Sequence, residues 1–241
     1  NGSASYTASG ASNLTINGNL RINTGVSFGT SFSATIIVLG NYDQMSASTF
    51  NIQTSSNNNN VQVRGNLTCQ GTITKSGTGQ PMLELNGNVN QNINLTGGSI
   101  TNNVDFNLSN TSGATLLSNL VLPYRYTITS GNLTLGANEF TTPSINQIGA
   151  PTATANHIIT NGTGFLKILG VGSIPVVFPI GPTATSYNPV TFSHNNTPAH
   201  FSARVETGIN PALALPIYGV HAINRTWNIQ ASAAVSMRRL H

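Results

Sequence analysis

The chain has 241 residues, enough for one long domain or two ordinary ones with a sizeable core. Only 6% of them are charged while 38% are hydrophobic, which excludes a charge-swollen disordered chain. The +4 net charge falls entirely after residue 143, on Lys167, Arg204, Arg225, Arg238 and Arg239 against Glu206, too scattered to neutralise a phosphate backbone.

From the first residues onward a short apolar strand ending in a turn asparagine recurs six times. Asn19, Asn41, Asn66, Asn88, Asn110 and Asn132 close these segments. They are equally spaced except for a longer interval between Asn41 and Asn66, and five of the six follow a glycine. Three and five positions before the first four asparagines stand Ile16 and Leu14, Val38 and Ile36, Val63 and Val61, Leu85 and Leu83. That period of two marks a strand with one buried face. A second apolar pulse follows at Val26 and Phe28, Phe50 and Ile52, Ile73, Ile93 and Leu95, and Leu116 and Leu117. Each repeat therefore holds two or three short strands between polar corners, the signature of stacked β-solenoid rungs.

In such a coil the six asparagines form a structural ladder along one edge. An amide both donates and accepts, and rungs lie about 4.8 Å apart, so a column of amides can bond up and down the stack. The single longer interval contains Asn57 to Asn60, read as a loop bulging outward at a corner. Rungs five and six slip by about one residue, with Phe106 and Leu108 out of phase with Leu83 and Leu85.

The repeat dissolves near residues 141–156, among prolines, threonines and alanines. We therefore expect an all-β chain: a parallel β-helix (solenoid) of about 22 residues per rung over residues 1–143, then a β-sandwich-like domain over 144–241. The second part shows short strands between Gly, Pro and Asn turns, at Ile158, Phe165 to Leu169, Val176 to Phe178, Pro189 to Phe192, Phe201 to Val205 and Thr226 to Ile229. It stops just after the Trp227 strand, so we read it as incomplete at its C-terminus. Asn161-Gly-Thr-Gly164 lacks the lysine of a phosphate loop and reads as a hairpin turn.

The first part is similar to the Asn/Thr/Gly-rich β-helical regions of large secreted surface proteins of the Bacteroidetes, through Asn13 to Leu20, Leu85 to Val89 and Thr129 to Leu135. The second part resembles the module that often follows, through Asn161 to Gly164, Phe178 to Gly181, Ser186 to Val190, Phe201 to Val205 and Asn224 to Ile229. The resemblance implies export by the type IX secretion system and an adhesin or structural role at the outer cell surface. It carries no catalytic residues over. An exported chain implies that Asn1 follows a removed leader.

No catalytic, cofactor-binding or metal-ligating set is expected. Polysaccharide-acting solenoids need two or three clustered carboxylates. Here only Glu84 and Asp105, close to one rung apart, suggest neighbouring outward positions, and a solvated face explains them as well. The five histidines, His157, His194, His200, His221 and His241, lack metal-ligand spacing, and Cys69 stands alone as a small buried residue. Tyr124 and Tyr126 flank Arg125, suggesting either a sugar-stacking patch or corner packing.

The leading expectation is a non-catalytic extracellular structural or adhesive protein that self-assembles into a fibre or layer, or meets other surface proteins or glycans. No membrane span is expected, since no apolar run is long enough. The alternative is a phage-type receptor-binding or glycan-processing β-helix spike. An ice-binding solenoid ranks third: Thr72-Ile-Thr74 and Thr127-Ile-Thr129 resemble its threonine rows but do not recur on successive rungs.

Overall fold

The computed structural model describes residues 4–147, 156–194, 198–208 and 224–232. Every described element is a strand or an isolated bridge, so no helix there is long and apolar enough to cross a membrane. Strands stack in parallel into three faces, and each coil visits them in turn. Sheet I has seven strands, from Leu14–Ile16 to Ser144–Gln147. Sheet II has eight, from Leu20–Ile22 to Ile180–Gly181, one per coil. Sheet III has five, from Ala4–Ala8 to Ser99–Ile100. The third position of later coils belongs to a separate sheet containing Leu120–Val121, Phe140–Thr142 and Leu166–Val171.

The period-two pattern sets this arrangement. Ile36 and Val38 are buried and Ile37 points outward, and the same holds for Val61, Gln62 and Val63 and for Leu83, Glu84 and Leu85. Parallel register sets like on like: Ile36 faces Val61, Val61 faces Leu83, and Leu83 faces Phe106. The slip expected in the fifth rung is present, since Asp105 faces Met82 and leaves Phe106 for Leu83. On sheet III the rings of Phe28 and Phe50 stack at 5.4 Å with 7° between planes. One apolar cluster runs from Ile22 to Val205. Each fully buried Leu, Ile, Val or Phe in it contributes about 1.5–3 kcal/mol relative to exposure.

Several expectations need adjusting. Rung length is not constant. On sheet II, Leu20 faces Tyr42, but the steps from Tyr42 to Leu67 and from Leu67 to Ile93 are longer, and the step from Ala114 to Leu133 is shorter. Ile93 and Leu116 therefore belong to the second face of their coils, and the third face of the fourth coil is Ser99–Ile100. The Asn57–Asn60 stretch does not bulge outward throughout. Asn59 is buried, its amide donates to the Ile52 carbonyl at 3.1 Å, and its Oδ1 accepts from Gln53 Nε2 at 2.9 Å, because the turn's interior needs hydrogen-bonding groups.

Parallel pairing also runs on past residue 143. Ser144–Gln147 pairs with Arg125–Ser130, Ile158–Ile159 with Leu133–Thr134, and Ile180–Gly181 with Ile158–Ile159. The 161–164 segment is consequently a solenoid corner, not a hairpin turn: Gly164 N–H donates to the Gly136 carbonyl of the coil before it at 3.0 Å. The change to antiparallel pairing occurs on Leu166–Val171. That strand pairs parallel with Phe140–Thr142 on one side and antiparallel with Ala199–Thr207 on the other. Arg225–Ala231 extends this sheet, and Val176–Phe178 with Val190–Phe192 forms a second antiparallel pair. Phe178, Phe192 and Phe201 pack together with centroids 4.9 and 5.1 Å apart. Trp227 is partly buried against the same core and donates from Nε1 to the Asn188 carbonyl at 3.3 Å.

Candidate functional site

Along the asparagine edge, side-chain hydrogen bonds join successive coils at the first corners, and the pattern then changes. Asn19 Oδ1 accepts the N–H of Asn41 at 2.8 Å, and Asn41 Oδ1 accepts the N–H of Asn66 at 2.8 Å. The bond is therefore side-chain oxygen to backbone N–H, not amide to amide. A corner N–H has left its strand ladder, and the asparagine oxygen of the adjacent coil stands in for the missing carbonyl. The file continues to the N–H of Asn92, at 2.8 Å from Asn66 Oδ1, so Asn88 drops out. This corner is longer than those before it and pushes Asn88, Val89 and Asn90 outward. Gln91 turns in to accept from Gly87 N–H and donate to the Val63 carbonyl.

Asn110 also leaves the file. It is fully buried, and its Nδ2 plugs the same corner through the Val89 carbonyl at 2.7 Å and Gln91 Oε1 at 3.0 Å. Asn132 resumes the acceptor role toward His157 N–H at 3.1 Å, while its neighbour Leu133 registers with Ala114 on the coil below. Sequence spacing missed the same device elsewhere: Asn13 accepts from Thr35 N–H, Asn58 from Gln80 N–H and Asn119 from Glu139 N–H.

The acids are separated rather than paired. Glu84 registers with Asn107 and accepts from Gln62 Nε2 at 2.8 Å and Asn107 Nδ2 at 2.9 Å. Asp105 registers with Met82, is buried, and binds Arg125 through two bonds of 3.1 and 2.8 Å. Its hydrogen bond and charge raise the Arg125 pKa further. Each carboxylate is thus engaged with amides or a guanidinium. Among the described residues no group of three or more His, Cys, Asp or Glu gathers.

The Tyr124–Tyr126 patch does not form. Tyr126 points into the core between Phe106 and Phe140, and only Tyr124 remains beside the Arg125 guanidinium at 5.8 Å. His157 is buried with Nε2 2.9 Å from the Thr183 carbonyl, and His200 Nδ1 accepts from Gly170 N–H at 3.0 Å. His221 and His241 lie outside the described residues, as do Arg238 and Arg239. Cys69 is buried in the core, and burial pushes its thiol up to about 11. Its Sγ lies 3.3 Å from Gln44 Oε1, which also accepts from the buried Tyr42 hydroxyl at 2.7 Å.

The outer face of sheet III carries two in-register columns of mostly small polar residues. Register places Ser5, Ser27, Thr49, Thr72 and Ser99 in one column. Thr7, Gly29, Asn51 and Thr74 form a second, and Thr101, whose N–H bonds to the Ile73 carbonyl, extends it. The sequence hid this because serine replaces threonine and because the step from Thr72 to Ser99 is longer than those before it. Thr127 and Thr129 belong elsewhere: on sheet I, Thr127 is buried and Thr129 Oγ1 donates to Asn107 Oδ1.

No family model matches the chain, and neither does any curated protein or solved structure.

Proposed function

We propose that the chain is a non-catalytic structural or adhesive module displayed outside the cell, built as a rod of stacked coils. The observation supporting this reading is the single apolar cluster that spans the solenoid and the antiparallel part, beneath outward rows of neutral hydroxyl and amide side chains. Such a surface is hydrated and insensitive to salt, because few ion pairs exist to be screened. The likeness to type IX-exported Bacteroidetes surface proteins supports an extracellular location. Self-assembly into a fibre or layer is the specific form we put forward, through pairing of strand edges between copies.

Immunogold electron microscopy of intact source cells tests the location: label on the outer surface supports the reading, and label confined to the cytoplasm overturns it. Sedimentation of the purified chain tests assembly, and a monomer at all concentrations contradicts the fibre. Release of reducing sugars from plant or bacterial glycans would favour the glycan-processing spike instead.

A further inference from the structure

We propose that the Asn17–Gly18 pair is a site of spontaneous covalent modification, where the chain itself converts Asn17 to aspartate and isoaspartate. Asn-Gly pairs occur at Asn17, Asn86 and Asn161, and the first two share the same local sequence, Asn-Gly-Asn. Such a pair reacts when the glycine N–H loses its proton and the nitrogen attacks the asparagine Cγ. The new N–Cγ bond closes a succinimide ring, the Cγ–Nδ2 bond breaks, and ammonia leaves with the proton. Water then opens the ring at either carbonyl, giving aspartate or an isoaspartate whose backbone runs through Cγ with an added methylene. Glycine suits the step because no Cβ hinders the attacking nitrogen. The reaction needs a glycine N–H free of an acceptor, room for the peptide to turn, and a solvated amide oxygen to carry the developing negative charge.

Among the described residues only the Asn17 pair meets all three conditions. Asn17 and Gly18 are exposed, in a bend between Leu14–Ile16 and Leu20–Ile22. Gly40 N–H holds the Gly18 carbonyl at 3.0 Å, but the Gly18 N–H donates to no group among the described residues, and a Cβ there meets no atom within 4 Å. Asn86 fails on every count. Gly87 N–H donates to Gln91 Oε1 at 2.8 Å, and a Cβ on Gly87 falls 2.5 Å from the Arg64 carbonyl oxygen. Asn86 Oδ1 is buried with no hydrogen-bond partner among the described residues, so charge developing there meets neither water nor a donor. Asn161 is exposed, yet its glycine is clamped. A Cβ on Gly162 falls 2.2 Å from the Gly136 carbonyl oxygen, and the Gly162 carbonyl accepts from Arg204 Nη1 at 3.0 Å. Stacking on the coil beneath thus protects the two later pairs and leaves the first reactive. The product puts a new carboxylate and a longer backbone just before Asn19, whose Oδ1 holds the Asn41 N–H.

The inference goes beyond surface display and stands or falls separately from it. The test holds the folded full chain at physiological pH and temperature for weeks, beside a sample unfolded in guanidinium chloride. Proteolytic digestion and mass spectrometry with electron-based fragmentation then measure aspartate and isoaspartate at the three pairs. In the folded chain we expect Asn17 to convert about tenfold faster than Asn86, whose Gly87 N–H must first break its bond to Gln91. In guanidinium chloride the two rates should converge, since their local sequences match. Gly18→Ala should slow conversion at position 17 by about tenfold, with thermal unfolding confirming that the variant folds. Conversion of Asn17 no faster than that of Asn86 in the folded chain overturns the proposal. So does a preference for Asn17 that persists unchanged in denaturant, or a folded Gly18→Ala variant that converts at the original rate.

Discussion

Gly18, Gly40 and Gly65 precede the three asparagines of the same edge, yet their surroundings differ sharply. A methyl group on Gly18 meets no atom within 4 Å. On Gly40 it falls 2.7 Å from the Gly18 carbonyl carbon and 2.8 Å from its oxygen, and on Gly65 it falls 2.6 Å from both the Gly40 carbonyl carbon and oxygen. The nearest atom in each case is the asparagine Oδ1 of the adjacent coil, with that coil's backbone close behind it, so a swing of the asparagine side chain alone does not relieve the clash. Each glycine also holds its neighbour directly, through Gly40 N–H to Gly18 O at 3.0 Å and Gly65 N–H to Gly40 O at 2.9 Å. Overpacking costs about 1–3 kcal/mol and a weakened corner hydrogen bond about 1 kcal/mol. Gly40→Ala and Gly65→Ala should therefore destabilise by about 2–4 kcal/mol, lowering Tm by roughly 5–15 °C in a chain of this size. Gly18→Ala should be neutral or stabilising by about 0.4–1 kcal/mol, through loss of unfolded-chain freedom. Thermal unfolding followed by circular dichroism compares the three. Equal effects at all three positions, or a neutral Gly65→Ala, would refute the stacking of these corners.

Three further outcomes follow from the same geometry. Asn41→Ala should cost about 1 kcal/mol by stripping the acceptor from Asn66 N–H, whereas Asn88→Ala, on the protruding corner, should stay within about 0.5 kcal/mol in denaturant titrations. Tyr42→Phe should destabilise by about 1 kcal/mol because Gln44 Oε1 loses its stronger donor and keeps only the weak Cys69 thiol, while Tyr126→Phe should be neutral or stabilising, since that hydroxyl is buried with no partner among the described residues. The Cys69 thiol should resist alkylation at neutral pH until the chain unfolds. Because its pKa is raised from 9.0 to about 11 in the folded state, its contribution to stability is intact below pH 9 and is lost as pH rises through about 11, which urea titrations across that window measure.

The period-two alternation made the solenoid legible, because each inward Ile, Val or Leu must be followed by an outward residue whatever the corner does. What stayed hidden is the length of the corners. The Asn88–Asn90 protrusion and the Gln91 plug lengthen one corner without disturbing Val61–Leu83 pairing on sheet I, so counting from asparagine to asparagine kept a false register on sheet II. The sheet III columns were missed for the same reason, compounded by the exchange of serine for threonine. Tyr126 was ambiguous because the residues around Arg125 alternate correctly for either face. The junction near residue 143 marked a real change in composition, while parallel pairing continues to Ile180–Gly181 because backbone hydrogen bonds need no particular side chains. His194 and His200 flank residues 195–197, which lie outside the described segments.

Distances along sheet I test the coil most directly. Thr15, Ile37, Gln62, Glu84, Asn107, Thr127 and Asn146 register in succession, so six intervals separate Thr15 from Asn146 and four separate Gln62 from Asn146. Spin labels placed at these pairs, with buried Cys69 left unlabelled, should give backbone separations of about 29 and about 19 Å by pulsed dipolar spectroscopy. Separations that fail to grow with the number of intervals would contradict a stacked parallel coil.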